Sequence, residues 1–153
     1  MKPAILVTGA TGSTGASTVQ QLLDLGYPVR AFVHREDERS HKLAAVGAEV
    51  MVGDLLDFQA ARKAFAGMQR AYFVYPIYPG VTQASAQFAQ AAREVKAEFI
   101  VNMSQKSSRS DAKSNAALQH WLSEQVFNWA GIPVAHLRPT YFADWSGASR
   151  AAF

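Results

Sequence analysis

The sequence contains no cysteine. This absence excludes a disulfide framework, thiolate catalysis and a zinc site built on cysteine. The excess of charge of one sign is also small, because 15 Lys and Arg against 12 Asp and Glu leave a net charge of +3 at pH 7. The basic residues are scattered along the chain and form no run, so direct binding of nucleic acid is not expected.

Long apolar runs are missing as well. The longest stretch without a charged residue, 71–92, is interrupted by Pro76, Pro79 and Gly80, and such a stretch does not suit a membrane-spanning helix. The apolar run at 4–7 is too short for the core of a signal peptide. We therefore expect a cytoplasmic protein without a membrane partner, and we predict no metal site.

The most informative feature present is a glycine-spaced turn behind the first apolar run. Gly9, Gly12 and Gly15 follow the run at 4–7 and open a segment of helical period. Gly9 lets the chain turn off the strand, Gly12 leaves room for backbone N–H groups to approach phosphates, and Gly15 lets the helix lie close to the sheet. Because a helix start favours an anion, we predict a site for the pyrophosphate of a dinucleotide; the alternative is an ordinary strand-to-helix turn. The hydroxyl groups that can add hydrogen bonds belong to Thr11, Ser13 and Thr14.

Short apolar runs alternate with segments of helical period along the chain. The predicted strands are 4–8, 29–34, 49–52, 71–75, 98–103 and 133–137. The predicted helices are 13–25, 38–46, 57–67, 81–96 and 113–130. This alternation indicates an α/β fold with a doubly wound parallel sheet, covered on both faces, and we expect the strand order 3-2-1-4-5-6. A chain of 153 residues is expected to form one domain.

Ligands of such sheets bind at the edge where the parallel strands end. The second predicted strand ends at His34 and Arg35, and Glu36 and Asp37 come one step later. A cation at this edge pairs with the 2′-phosphate of NADP, whereas a carboxylate accepts from the ribose hydroxyls of NAD. We therefore predict that His34 and Arg35 contact NADP, with NAD as the alternative and a solvated loop of mixed charge as the third possibility.

The third and fifth strands end in polar residues that suit the same edge. Asp54 can accept a hydrogen bond from the adenine amino group while Leu55 packs on the ring, or Asp54 can instead cap the next helix. Ser104 can donate to a substrate carbonyl, or it can satisfy backbone groups at the strand end. Met103, immediately before Ser104, is a further candidate contact of the cofactor.

The fifth predicted helix carries both polar and apolar candidates. His120 lies one helical turn from Glu124, and this pair is either a surface contact or, beside a nicotinamide ring, a proton relay. The apolar residues of the helix recur at three- and four-residue spacings and are predicted to face the sheet: Leu118, Trp121, Leu122, Val126 and Trp129.

Together, these segments resemble the NmrA-like branch of the atypical short-chain dehydrogenase/reductase superfamily. The motifs that carry the resemblance are V-T-G-A-T-G-S-T-G at 7–15, V-R-A-F-V-H-R at 29–35, G-A-E-V-M-V-G-D at 47–54, V-N-M-S at 101–104, H-W-L-S-E at 120–124 and L-R-P-T-Y-F at 137–142. The resemblance implies a Rossmann domain at 1–140 that binds NADP(H) or NAD(H). It also implies that Tyr75 and Pro76, after the fourth strand, lie beside the cofactor ribose and nicotinamide; core packing or a partner surface would equally explain the aromatic residues there.

The resemblance implies two classes of function. One is an NADPH-dependent oxidoreductase of the quinone-reductase kind, in which Ser104 and His120 face an unidentified acceptor. The other is a redox-sensing regulator that binds the cofactor without turnover and signals to a protein partner. A homo-oligomer is compatible with either class.

The chain departs from typical short-chain dehydrogenases in two respects. No tyrosine is followed four residues later by lysine, so the usual Tyr-x-x-x-Lys proton relay is excluded. Members of the family also run to roughly twice this length, with a carboxyl-terminal domain that closes over the nicotinamide. We therefore expect 141–153 to be the start of a truncated or missing substrate domain, and its apolar residues Tyr141, Phe142, Trp145 and Phe153 fit packing that has been lost.

Overall fold

A computed structural model describes residues 1–140, within which six strands alternate with five helices. The strands are β1 (Ile5–Val7), β2 (Val29–Val33), β3 (Glu49–Val52), β4 (Arg70–Phe73), β5 (Phe99–Met103) and β6 (Val134–Leu137). The helices are α1 (Ser13–Asp24), α2 (Glu38–Ala45), α3 (Phe58–Phe65), α4 (Val81–Glu94) and α5 (Asn115–Trp129). The predicted alternation is confirmed. The predicted segment 141–153 lies outside the described residues.

The strands form one sheet in the order β3-β2-β1-β4-β5-β6, and every pair of neighbours is parallel. This confirms the predicted order. Ile5 of β1 lies opposite Val29 on one side and Arg70 on the other. Because successive strands run outward from β1 in one direction and from β4 in the other, a crevice opens between β1 and β4 at their carboxyl ends.

The two faces of the sheet bury separate apolar clusters. Leu6 of β1 belongs to the cluster covered by α3, α4 and α5, whereas Ile5 and Val7 belong to the cluster covered by α1 and α2. This alternation follows from the two-residue period of a strand, whose side chains point to opposite faces. Helices on both faces therefore bury the central strands, whereas the edge strands β3 and β6 are only partly covered, and the ends of the strands are left for a ligand.

Four of the five buried phenylalanines in the first cluster contact one another. The ring of Phe88 on α4 lies 4.5 Å from Phe65 of α3 and 4.8 Å from Phe73 of β4, measured between centroids. Phe127 of α5 meets Phe73 edge-on at 5.1 Å. Such tilted aromatic pairs contribute attraction beyond the apolar area that they bury, so these contacts join three helices to the middle of the sheet.

The prediction that an apolar stripe of α5 faces the sheet is wrong in part. Trp129 is 73% exposed, and Leu118, Trp121, Leu122 and Val126 are only half-buried. The residues of α5 that are fully buried are Ala117, His120, Ser123, Glu124 and Phe127. The polar residues among them are buried because they have partners: Ser123 Oγ, for example, lies 2.6 Å from Ser85 Oγ of α4. Hydrophobic spacing cannot anticipate a helix face whose polar groups are satisfied by other elements.

Candidate functional site

A cleft with a volume of about 1000 Å³ runs along the carboxyl edge of the sheet. The residues that line it come from the ends of all six strands and from the starts of α1 and α2. The cleft lies over the crevice between β1 and β4, where doubly wound sheets bind their ligands. The second pocket among the described residues holds only about 120 Å³, and His120 borders both.

The glycine turn forms the floor of the cleft between β1 and α1. Gly9 has a φ of +57°, a value that few other residues adopt. A Cβ on Gly15 would lie 2.2 Å from the carbonyl oxygen of Gly9, so the first turn of α1 can approach the loop this closely only with glycine. Thr8 holds the turn in place, because its Oγ1 accepts from the N–H of Val74 at 2.8 Å and donates to the Val74 carbonyl at 2.9 Å.

The amino end of α1 is suited to an anion. Gly12 is the N-cap residue, and within the described residues no side chain caps this end or places a carboxylate in its first turn. The early N–H groups of the helix therefore remain available, and the residues that line the cleft here also supply hydroxyl groups: Thr11, Ser13 and Thr14. Free N–H groups, hydroxyls and close glycine packing together fit a diphosphate.

The end of β2 and the start of α2 place basic side chains at the cleft. His34 lines the cleft together with Arg39 of α2, whereas Arg35 is absent from the lining and its side chain is 74% exposed. Asp37 caps α2 and accepts from the backbone N–H groups of Arg39 and Ser40. Its second oxygen accepts from the Arg39 guanidinium at 2.8 Å, and this hydrogen bond is the main reason that the pKa of Asp37 is lowered to about 2.

The ends of β3 and β4 form the opposite wall. Asp54 and Leu55 both line the cleft, and Asp54 Oδ1 accepts from the N–H of Leu56 at 2.8 Å. The cap of α3 is instead Asp57, which accepts from the N–H of Gln59 at 2.9 Å. The predicted alternative that Asp54 caps this helix is therefore wrong.

Tyr75 and Pro76 also line the cleft, beside the end of β4. The phenol of Tyr75 donates to the Pro79 carbonyl at 3.2 Å. Burial raises the pKa of Tyr75, and the negative charge of Asp54 adds to this effect. Tyr75 is therefore a neutral phenol at physiological pH.

The end of β5 carries a buried polar network that the sequence did not predict. Ser104 Oγ donates to Glu124 Oε1 at 2.5 Å. Glu124 also accepts from Arg138, with Nε of Arg138 at 2.9 Å and a second nitrogen bound to the other carboxylate oxygen. Burial alone would raise the pKa of Glu124, but hydrogen bonds from Arg138 and Ser104 outweigh it and leave this pKa below its ordinary value. Glu124 is therefore an ionised carboxylate at neutral pH.

His120 is 6% exposed and lies at the cleft. It is therefore not part of a surface pair, and Glu124 is bonded to Ser104 and Arg138. Burial lowers the pKa of His120, and the charge of Glu124 opposes this shift without reversing it. The imidazole is consequently neutral at pH 7, with one nitrogen as a donor and the other as an acceptor.

The cleft brings together most of the residues that were predicted from the sequence: Gly9, Thr11, Gly12, Ser13, Thr14, His34, Asp54, Leu55, Tyr75, Pro76, Met103, Ser104 and His120. Gly15 packs against the backbone of Gly9 and Ala10, and Arg35 lies outside the lining, with its Nε 3.6 Å from Asp37 Oδ2. Sequence reasoning missed Phe32 and Arg39 in the lining and the pair Glu124–Arg138 behind Ser104. The cap-forming spacing of Asp37 and Ser40 was the available signal for Arg39, since it places the first turn of α2 at the cleft.

The chain belongs to the NmrA-like family, whose model matches residues 1–143. The chain is 27% identical over 140 residues to an NAD(P)H azoreductase of Xenophilus azovorans, and this match covers 90% of the chain and 48% of the relative. It is 28% identical over 155 residues to a (4-alkanoyl-5-oxo-2,5-dihydrofuran-3-yl)methyl phosphate reductase of Streptomyces griseus, covering 97% and 52% of the two proteins. The chain thus spans about half the length of these relatives.

Solved structures show the same fold. The triphenylmethane reductase of a Citrobacter species, in complex with NADP(H), superposes with a TM-score of 0.82 and 29% identity over 96% of this chain and 54% of that one. An NADPH-dependent quinone oxidoreductase from Escherichia coli gives a TM-score of 0.83 over 97% and 53% of the two chains; at 24% identity, this likeness concerns the fold alone.

No helix among residues 1–140 is both long and apolar enough to cross a membrane. Within the same residues, no three His, Asp or Glu side chains gather closely enough to hold a metal ion.

Proposed function

We propose that the cleft binds a nicotinamide dinucleotide and that the chain is the cofactor domain of an NADPH-dependent oxidoreductase of the quinone-reductase kind. The observation that carries this proposal is the uncapped start of α1 beneath a cleft of about 1000 Å³. Membership of the NmrA-like family and the reductases among the similar proteins support it. A cytoplasmic location stays a prediction.

The charges at the end of β2 favour NADP over NAD. Both oxygens of Asp37 are engaged by α2 and by the Arg39 guanidinium, Glu36 pairs with His41, and neither carboxylate lines the cleft, where it could accept from the ribose hydroxyls. Arg39 and His34 lie at the cleft, where a 2′-phosphate would meet them. A guanidinium matches a phosphate in both charge and geometry.

The bound cofactor supplies the hydride, and the chain supplies orientation and a hydrogen-bond donor. The start of α1 would hold the diphosphate, and Tyr75, Pro76 and Met103 would flank the cofactor further along the cleft. His120, neutral and almost fully buried, would donate its N–H to an oxygen of the acceptor that gains negative charge. The neutral imidazole would keep this proton, because losing it would leave an imidazolate, and the proton that completes the reduced acceptor would come from water.

A redox-sensing regulator is the second candidate. It is favoured by the composition of α5, which carries no tyrosine and therefore lacks the proton relay of typical short-chain dehydrogenases. Such a regulator would distinguish NADPH from NADP in affinity and pass the difference to a protein partner or to a second copy of the chain. Oxidation of NADPH by a quinone above the buffer rate, followed by stopped-flow absorbance, would favour the enzyme.

The variant Ser13→Asp tests whether the dinucleotide binds at α1. A carboxylate at the first position of this helix complements the helix dipole and should preserve or raise the melting temperature of the free protein. It should also repel the diphosphate and weaken NADPH binding at least tenfold, as measured by calorimetry. Asn115→Asp is the matched control, because it adds the same charge at the first position of α5 and should leave affinity within about twofold. Equal affinity of Ser13→Asp and the unmodified protein would refute the proposed site.

A further inference from the structure

The hydroxyl group of Ser104 donates its proton to a residue that does not line the cleft. A serine hydroxyl carries one proton and two lone pairs, whereas an ionised carboxylate can only accept. Glu124 is 1% exposed and bound by the Arg138 guanidinium, so it stays a carboxylate. The 2.5 Å contact between Ser104 Oγ and Glu124 Oε1 therefore fixes the serine proton on the line to Glu124.

Ser104 itself lies at the boundary of the ligand space and is 4% exposed. Ser104 lines the cleft, whereas Glu124 and Arg138 do not. The carboxylate has no competing donor from His120, which makes no hydrogen bond to it among the described contacts. With its only proton engaged, the hydroxyl can offer the cleft a lone pair and nothing else.

We propose that Ser104 acts in this cleft as a hydrogen-bond acceptor, with Glu124 and Arg138 as positioning residues that hold its proton away from the ligand. This differs from both roles considered from the sequence, in which Ser104 donates to a substrate carbonyl or satisfies backbone groups at the strand end. The inference rests on the proposed function only for the identity of the ligand. It assigns the neighbouring ligand group to one chemical class, a neutral N–H or O–H donor.

Two ligand groups belong to that class. One is the carboxamide N–H₂ of the nicotinamide, and the other is an O–H or N–H of the acceptor or its reduced product. A bare carbonyl oxygen at this point would face a lone pair and be disfavoured. His120, which keeps an N–H, is the group that would meet a carbonyl.

The direction of the hydrogen bond can be measured without any ligand. Carboxyl carbon NMR on glutamate-labelled protein gives the pKa of Glu124 in the unmodified chain and in Ser104→Ala, Ser104→Thr and Ser104→Cys. Because the serine donates to the carboxylate, Ser104→Ala should raise the pKa of Glu124, Ser104→Thr should restore it, and the weakly donating Ser104→Cys should give an intermediate value. An unchanged pKa in Ser104→Ala would overturn the proposal.

Ligand selection is measured with matched probe pairs by calorimetry. The first pair is NADPH and its reduced 3-acetylpyridine analogue, in which a methyl ketone replaces the amide and removes its donors. The second pair, in the presence of NADP, is hydroquinone and 1,4-dimethoxybenzene. The donor-bearing member of one pair should bind about three- to tenfold more tightly, and this ratio should fall to about one in Ser104→Ala.

The probe pair whose affinity ratio falls in Ser104→Ala identifies the ligand group that donates to Ser104. A change in the first pair points to the cofactor amide, and a change in the second pair points to the acceptor. Ser107→Ala is the matched control, because Ser107 lines the same cleft and, within residues 1–140, its hydroxyl makes one weak hydrogen bond, to Gln105 at 3.5 Å; it should leave both ratios unchanged. If Ser104→Ala alters neither ratio, the proposal is wrong. If NADPH itself does not bind, the proposed function fails, and the NMR titration still decides the role of Ser104.

Discussion

The two ends of the cleft are built by different means. At one end, which we call the turn end (residues 8–15 with the start of α2), the ligand would meet backbone N–H groups arranged by glycines. At the other, the α5 end (Ser104, His120, Glu124 and Arg138), it would meet side chains held by a buried ion pair. The close contacts of Gly12 and Gly15 at the turn end join near neighbours in sequence, and the bond between Thr8 and Val74 is the long-range exception, whereas Ser104 and Arg138 are 34 positions apart. The fold of the first end is therefore most sensitive to added volume, and the fold of the second depends most on the pairing of its side chains.

The largest effect is expected from added volume at the turn end. In Gly15→Ala the new Cβ would lie 2.2 Å from the Gly9 carbonyl oxygen and 2.9 Å from Ala10 Cα, both backbone atoms that cannot move independently. We expect a loss of about 2–4 kcal/mol in the free energy of unfolding, measured by urea denaturation, together with loss of NADPH binding.

Gly67→Ala separates steric conflict from backbone strain. Gly67 has a φ of +79° and no atom within 4 Å of an added Cβ, so only the left-handed backbone penalty of about 1 kcal/mol applies. A Gly15→Ala variant no less stable than Gly67→Ala would show that the turn can widen, and the contrast between the two ends of the cleft would then be lost.

The two ends of the cleft also differ in how far the sequence predicts them. The glycine spacing at 9, 12 and 15 is local, and each glycine has a steric reason that can be stated before the structure is known. The order of the strands was expected from the resemblance to a Rossmann domain, because alternating elements and right-handed crossovers alone leave other orders open. That order is confirmed, and the close approach of Gly15 to Gly9 agrees with the steric role predicted for Gly15, whereas binding of a pyrophosphate at the turn stays a prediction.

The α5 end escaped prediction because its contacts are distant in sequence. The sequence suggested that Glu124 pairs with His120, four residues earlier. In the structure Glu124 instead binds Arg138, which follows β6 in the sequence. Trp129 fits an apolar helix stripe but is exposed, since the buried face of α5 contains polar residues with partners on other elements. Hydrophobic periodicity reports average burial and carries no information about which polar groups find partners.

A smaller effect, and a test of the α5 end, is expected from breaking its ion pair on either side. Arg138→Met leaves a carboxylate that is 1% exposed without its cation, whereas Glu124→Gln leaves a guanidinium that is 48% exposed and can be hydrated. Urea denaturation at pH 7 should therefore show the larger loss for Arg138→Met, about 2–3 kcal/mol against about 1 kcal/mol. The opposite order would mean that Glu124 reaches water by another route.

The stability lost in Arg138→Met should depend on pH, and the sign of this dependence follows from the pKa of Glu124. The pKa of Glu124 is lowered in the folded protein, so its contribution to stability is present above the ordinary pKa of a glutamic acid and is lost as the pH falls through the folded value. Without Arg138 the pKa of Glu124 in the folded protein rises. The buried carboxyl is then protonated more easily as the pH is lowered, and the destabilisation by an unpaired charge becomes smaller. The stability gap between Arg138→Met and the unmodified protein should therefore narrow between pH 7 and pH 4.

The last prediction concerns the effect of Arg39 on cofactor affinity. At Arg39 the turn end depends on a side chain, and in this respect it resembles the α5 end. Arg39→Ala should weaken NADP by about 1.5–3 kcal/mol, or roughly ten- to a hundredfold, and leave NAD within threefold, because only NADP carries the 2′-phosphate. Calorimetric titration of both cofactors measures the difference. Arg35→Ala is the matched control, since Arg35 lies on the loop before α2 and outside the lining of the cleft. A larger loss for Arg35→Ala than for Arg39→Ala would mean that the loop rearranges around the phosphate, and the turn end would then be no more preorganised than the α5 end.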